Sequence, residues 1–136
     1  MMYQKLGFID LLKAVIGRVE NGTGKRCYDA VPKDLPSPFY FAEIVGLRPE
    51  NTKTMFVDVF TVNVHAIAKP SQSSVEVYKL IQDVEEAFTK EITIPCEFSM
   101  LSQTSLGLLQ IMSDESGEKH GVLSYEFKVC YGFRIK

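Results

Sequence analysis

The sequence predicts an α+β fold, in which an antiparallel or mixed sheet has two helices packed on one face. Three observations support this class: two stretches with helical periodicity, several runs rich in β-branched and aromatic residues, and a long alternating run near the end. The predicted order is α-β-β-β-α-β-β. Two widely separated helices are too few for a parallel array of β-α-β units. Because no linker or internal repeat divides the chain, we expect one domain over residues 1–136.

The first helix is predicted over residues 2–19. Its apolar residues recur at steps of three and four, which places them on one side of a helix. The following residues, 21–25, contain an asparagine and two glycines, which are typical of a helix end. A short strand is predicted at 26–30. The apolar stripe of the helix consists of Phe8, Ile9, Leu12, Val15, Ile16 and Val19.

The middle of the chain is predicted to form two strands joined by a loop. Residues 31–38 contain three prolines, which fix the backbone and remove hydrogen-bond donors, so we expect a stiff loop there. A strand over 39–45 follows, then a polar loop over 46–53 and a long strand over 55–68. The alternation of the long strand is broken near its start. Either both faces are covered there, or a bulge shifts the phase.

The second helix has a clear predicted start. Pro70 precedes it, and residues 73–76 read Ser-Ser-Val-Glu, which fits a capping box. The apolar residues that follow keep helical spacing and are expected to pack on the sheet. They are Val77, Leu80, Ile81, Val84, Ala87 and Phe88.

The last third of the chain is predicted to end in a hairpin. A brief strand is expected at 92–94 and a longer one at 105–112, followed by a hydrophilic loop over 113–120. In the final strand, over 123–135, seven apolar residues occupy every odd position. This alternation is typical of an antiparallel strand with one covered face.

Composition and charge exclude several classes of protein. Lys plus Arg number 15 and Asp plus Glu number 17, so the net charge is −2 and a strongly positive overall field is excluded. No apolar run approaches the roughly 18 residues of a membrane-spanning helix. The start lacks the apolar block of a signal peptide, so we expect synthesis in the cytosol. Three cysteines without CxxC spacing predict neither a disulfide framework nor a zinc site.

The residues that could support catalysis are scattered along the chain. His65 is predicted on the polar face of a strand, His120 and Asp114 in a hairpin loop, and Asp29 and Asp34 near the prolines. None of them belongs to a motif that places a nucleophile and a base at the spacing that catalysis requires. We therefore expect no catalytic site, cofactor or metal. The alternative is a small hydrolase or ligand-binding domain that uses His65 or His120.

Binding surfaces fit the pattern better than catalysis does. The two polar loops can protrude as hairpin arms, and the edge strands can pair with a neighbour. The stiff proline-rich loop can present Leu35 and Phe39 to a partner. Charged side chains in the two hairpins can set the register between partners. The candidate interface residues are Leu35, Arg48, Lys53, Asp114, Glu115, Glu118 and Lys119.

Two segments carry a family resemblance. Residues 27–40 read CYDAVPKDLPSPFY, which resembles the pattern VYD-x-VP-x-D-x-P-x-PY of small tail-completion proteins of long-tailed bacteriophages. Residues 114–127 read DESGEKHGVLSYEF, which is similar to that family's last hairpin, D-x-DG-x-x-HGVLRF. The loop over 46–53 departs from the family pattern. The chain therefore resembles the tail-terminator, or tail-to-head joining, proteins of phages and prophages.

This resemblance implies a role in virion assembly without catalysis. Such proteins form a ring, expected here to be hexameric, on the tail tube, stop its polymerisation and dock the head connector. The implied partners are further copies of the chain, the tube protein and the neck proteins. The resemblance implies no contact with a membrane and no sequence-specific binding of nucleic acid, although DNA can pass through the lumen of the ring. The implied location is the host bacterial cytoplasm during assembly and then the virion tail or neck. Another neck component, for head completion or connection, is the alternative within this class.

Overall fold

Five strands form one mixed sheet, and two helices pack on one of its faces. The computed structural model describes residues 2–31 and 34–134. The sheet order is β1-β2-β3-β5-β4; β1 runs parallel to β2, and every other neighbouring pair is antiparallel. The predicted α+β class and element order are therefore confirmed. The elements are α1 (Phe8–Thr23), β1 (Cys27–Tyr28), β2 (Phe39–Pro49), β3 (Met55–Ala68), α2 (Val75–Ala87), β4 (Ser99–Ser113) and β5 (Lys119–Phe133).

Strand β3 lies at the centre of the sheet and pairs along its length with β2 and β5. Alternate side chains point to opposite faces, so Phe60, Val62 and Val64 contact the helices. A register shift follows Phe56, but its extra residue is Tyr131 in β5, so the phase of β3 is unchanged. Val57 and Val59 are buried on the opposite face, so the first explanation, coverage of both faces, is the one that applies.

Helix α1 starts later and ends later than its predicted span. Residues 2–7 are not helical. The helix ends at Gly24, which has a φ of 73° and donates its N–H to the carbonyl of Glu20, as the glycine-rich loop indicated. Leu11 and the residues one and two turns after it form the buried line. The predicted stripe is wrong at Phe8 and Ile9, which are 54% and 71% exposed because they lie beside this line, toward the outer edge of β2.

Helix α2 buries its predicted stripe, but the capping box does not form. The N-cap is Ser74, and its side chain makes no capping hydrogen bond. Instead the Ser73 hydroxyl accepts the N–H of Val75 at 3.2 Å. The sequence pattern was right about the start of the helix and wrong about the bonds that stabilise it. The buried residues are Val77, Leu80, Ile81, Val84, Ala87 and Phe88.

Two glycines allow the closest approaches of the helices. A Cβ added at Gly22, in the last turn of α1, would overlap the side chain and backbone of Ala87 in α2. A Cβ added at Gly121, in β5, would come within 2.6 Å of the Ile81 side chain. The glycines therefore let α2 sit against both α1 and the sheet.

Strands β2 and β4 are longer than predicted. β2 continues to Pro49, so half of the predicted 46–53 loop is strand and only a short turn remains. The loop prediction relied on the polar residues, glycine and proline of this segment, which an edge strand tolerates beyond the bulge at Val45. β4 begins at Ser99, whereas residues 92–94 are not a strand. The Ile92 N–H is instead bonded to the Gln103 side chain.

The final strand is covered on both faces over much of its length. It starts at Lys119, so His120 lies in the sheet rather than in the predicted loop, and the predicted end at Ile135 is outside the described residues. Val122, Ser124 and Cys130 are buried on the face away from the helices. The prediction of a half-covered strand is therefore wrong there.

A second, smaller apolar cluster lies on the face away from the helices. Phe39, Phe41 and Ile67 are buried in it, and Leu35 packs against them. Phe39 is thus a core residue, and the expectation that it is presented to a partner is wrong. The proline-rich loop reaches this face, although Pro32 and Lys33 lie outside the described residues.

The glycine contact between the helices gives a stability prediction. We expect Gly22→Ala to lower the free energy of unfolding by about 1–3 kcal/mol, because the added methyl group overpacks against Ala87. Gly17→Ala, in the same helix, has open space around the new methyl group and should raise stability by about 0.5–1 kcal/mol. Urea unfolding of the two variants measures both effects. Equal effects of the two substitutions would contradict the packing described.

Candidate assembly surfaces

An apolar groove follows the outer edge of β2. Strand β1 pairs only with Tyr40 and Phe41, so β2 beyond them has no outer strand in the described part of the chain. The first turns of α1 lie beside this free edge and enclose a groove of about 480 Å³. Asp29 and Glu43 are its acidic lining residues. We call this surface the groove edge; its apolar residues are Phe8, Ile9, Leu12, Ile44 and Leu47.

The opposite edge of the sheet is β4, which exposes leucines. Three register shifts against β5 leave Leu101, Leu106 and Leu109 as the extra residues, and these are 44–54% exposed. Strand β4 contains no Asp, Glu, Lys or Arg in its 15 residues. Exposed edge strands usually carry charges that prevent association. Leu108 is also exposed, and an uncharged edge with four exposed leucines has the properties of a contact surface, which we call the leucine edge.

The two long hairpins turn at opposite ends of the sheet. The 50–54 turn adjoins Met55, where β3 begins, and the 114–118 loop adjoins Lys119, which pairs with Ala68 at the end of β3. A strand of this length spans about 40 Å. We call the end of the sheet with the 50–54 turn the first end, and the end with the 114–118 loop the second end. The seven candidate interface residues therefore do not form one surface.

At the first end, Arg48 and Lys53 are exposed. The Arg48 guanidinium lies 3.3 Å from Glu126 and 3.7 Å from Glu50, and the Lys128 ammonium lies 3.1 Å from Glu50. Exposed pairs of this kind contribute at most about 1 kcal/mol each. They orient the side chains more than they stabilise the fold.

At the second end, the loop is held by Asp114. Its carboxylate accepts the Ser116 hydroxyl at 2.6 Å and the N–H groups of Ser116 and Glu118. The hydrogen bond from the Ser116 side chain is the main reason that the pKa of Asp114 is lowered. Glu115 is exposed, whereas Glu118 and Lys119 are partly buried, as is Leu35 nearby.

Two histidines meet on the face away from the helices, which the sequence did not predict. Nδ1 of His65 in β3 lies 2.7 Å from Nε2 of His120 in β5. Nε2 of His65 lies 2.9 Å from the carboxylate of Glu43, and the Phe41 ring stacks on His65 at 4.0 Å. Desolvation is the main cause that lowers the pKa of His65, against an opposing effect of Glu43.

His120 has a similar environment. Burial and the neighbouring His65 lower its pKa, while the charges of Asp114 and Glu43 oppose this shift. The side-chain partner of His120 is therefore His65. Because one nitrogen of the 2.7 Å contact must accept, the pair favours a state in which it is not fully protonated.

The other candidates for chemistry lie apart from this pair. Asp29 lines the groove edge, and Asp34 is exposed in the proline-rich loop with a φ of 58°. Burial raises the pKa of the Cys27 thiol to about 12, so it is a packed thiol rather than a nucleophile. Within residues 2–31 and 34–134, no three His, Cys, Asp or Glu side chains are grouped to hold a metal ion.

The family model that matches the chain covers residues 1–136 and describes a phage tail terminator family, "Putative tail termination protein". The chain belongs to this family. The resemblance in the two sequence segments is thereby confirmed. The tail terminator family is a family of phage structural proteins, so the chain has a structural role in a phage-type tail.

A solved structure has a similar fold. This chain aligns with a chain of the "Virion of native gene transfer agent (GTA) particle" with a TM-score of 0.67 and 14% sequence identity. The alignment covers 89% of this chain and 95% of that chain. At an identity this low, the structural likeness establishes a shared fold and nothing more. A search of curated protein sequences found no significant match. Neither helix in the described part of the chain has the length and hydropathy to cross a membrane.

The histidine pair predicts a pH-dependent stability for this chain. Both histidines have lowered pKa values in the folded chain, so below about pH 6.5 the unfolded chain binds more protons. We therefore expect full stability above that pH and a loss below it, at less than about 1.4 kcal/mol per pH unit for each histidine. Urea unfolding between about pH 7.5 and 5.5 measures this slope.

The control is the double variant His65→Gln with His120→Gln, which removes both titrating groups. Whatever the stability of this variant at neutral pH, we expect its slope over the same range to be smaller than that of the unchanged chain. An unchanged slope in the variant would mean that other groups cause the pH dependence.

Proposed function

We propose that this chain terminates a phage tail: it forms a ring at the head-proximal end of the tail tube, stops the polymerisation of the tube protein and provides the docking surface for the head connector. The observation that carries the proposal is the family match over the whole chain. Assembly takes place in the host bacterial cytoplasm, and the protein then remains in the virion at the tail or neck.

The separation of the two hairpins supports this role. A terminator subunit must contact the tube on one side and the neck on the other. The first and second ends are about 40 Å apart along β3, so each can serve one partner without blocking the other. The groove edge and the leucine edge both lie on the sides of the sheet, so they leave the two ends free for the tube and the neck.

The two ends differ in charge, which can distinguish their partners. Arg48 and Lys53 belong to the first end, where they accompany Glu50, Glu126 and Lys128. The second end has an excess of carboxylates. Complementary charge mainly controls register and association rate, and its small effect per subunit is repeated around a ring. The proposed contact residues of the second end are Leu35, Asp114, Glu115, Glu118 and Lys119.

A ring of identical subunits requires a heterologous interface, in which one side of a subunit meets the other side of the next. We propose a hexamer with DNA passing through its lumen. The net charge of −2 agrees with a lumen that lets DNA pass and does not read its sequence.

Deletion of the coding sequence from the phage or prophage tests this function. We expect tails of uncontrolled length that are not joined to heads, because nothing would cap the tube. Electron microscopy of lysates gives the tail-length distribution, and the unchanged chain supplied from a plasmid is the control. Tails of normal length in the deletion would contradict the proposal, and normal headless tails would instead indicate a neck component that acts after termination.

Charge reversals at the two ends test the division between partners. We expect Lys53→Glu and Glu115→Lys to give different defects, since they lie at opposite ends: one should release long tails and the other normal tails without heads. Each should lower the yield of infectious particles several-fold, because a contact worth about 0.5–1 kcal/mol is lost in every subunit. Lys79→Glu, on the exposed side of α2, is the matched control. Identical defects at both ends would contradict this division.

A further inference from the structure

We propose that the leucine edge of one copy of this chain packs into the groove edge of the next. This inference rests on the proposed ring and names the surfaces that close it. The two surfaces lie on opposite edges of one sheet, which is the arrangement that a repeating head-to-tail contact needs. A second copy is therefore the occupant of the groove.

The register across the sheet supports this pairing. Ile44 of the groove pairs with Val62 in β3, Val62 pairs with Tyr125 in β5, and Tyr125 pairs with Ser105 in β4. The next residue is Leu106. The groove and this bulged leucine are therefore level with one another on opposite edges. A closed ring has no rise from copy to copy, so surfaces at the same level along its axis are the ones that meet.

The charge distribution favours a second copy over an unrelated polar partner. The groove has apolar walls, and its charged lining residues, Asp29 and Glu43, are both acidic. An acidic occupant would be repelled, and a charged one would lose hydration on entering the apolar part. Strand β4 carries no charge in 15 residues, so it can enter without this cost.

The strand directions are also compatible. β2 and β4 run in opposite directions within one copy, because each neighbouring pair between them is antiparallel. When the next copy keeps the same orientation along the ring axis, its β2 lies antiparallel to this β4. The bulges at Leu101, Leu106 and Leu109 disfavour a continuous hydrogen-bonded ladder, because they twist an edge. They favour a contact made by leucine side chains.

Cross-linking in assembled tails tests the pairing. The background carries Cys96→Ser, since Cys96 is exposed and the other two cysteines are buried. Leu47→Cys marks the groove edge and Leu106→Cys marks the leucine edge; both positions are exposed. The two single variants are supplied, separately or together, to the deletion phage. Tails are treated with a short bis-maleimide, and the products are separated on a denaturing gel.

We expect a cross-linked dimer only when the two variants are co-assembled, and a ladder of products from the double variant Leu47→Cys with Leu106→Cys. A dimer from Leu106→Cys alone would overturn the proposal in favour of a symmetric contact between two β4 strands. Tails of normal length without any cross-link in the co-assembled sample would also overturn it, while leaving the terminator function intact.

Failure of the proposed terminator function gives a different result from failure of the proposed interface. If the unchanged chain neither restores tail length nor stays with purified tails, then the proposed function fails and this interface fails with it. Tail length is therefore measured in every sample that is cross-linked. A variant that restores tail length is folded and assembled, so the absence of a cross-link cannot be attributed to misfolding.

Discussion

The pairing of β3 and β5 along their whole length is the constraint on which the rest of the molecule depends. Each of these strands has a partner on both sides, so their backbone groups are satisfied within the sheet. Their side chains form much of the core under α1 and α2. As a consequence, the unpaired backbone of the described sheet is left to the outer strands, at β2 beyond Phe41 and along β4.

The sequence allowed the class and order of elements to be predicted because its strongest patterns belong to buried elements. The stripe of α2 reflects burial on one face of the helix, and the alternation in β5 reflects the apolar face that it packs under the helices; both patterns predict the correct type of element. The leucine edge was not predicted as such, since each of its three bulges changes the phase of the alternation. The end of β2 resembles a loop in the sequence because it is an edge segment, where glycine, proline and polar side chains are tolerated.

The candidate surfaces were predictable only in part, for a related reason. Charged residues in hairpins can be recognised in a sequence, but the distance between Lys53 and Glu115 depends on how β3 and β5 are paired. The contact of His65 with His120 likewise depends on a register between segments 55 residues apart. The two histidines could have been recognised as neighbours only if that register had been known.

The fold thus separates two kinds of surface: charged hairpins at the ends and apolar surfaces at the sides. Hydrogen exchange measured by mass spectrometry, on the free chain and on assembled tails, tests this separation most directly. In assembled tails we expect strong protection from exchange in three segments: β4, the first turns of α1 and the free edge of β2. Neighbouring copies cover these segments. Protection confined to the 50–54 turn and the 114–118 loop, with unchanged exchange in β4, would contradict the account.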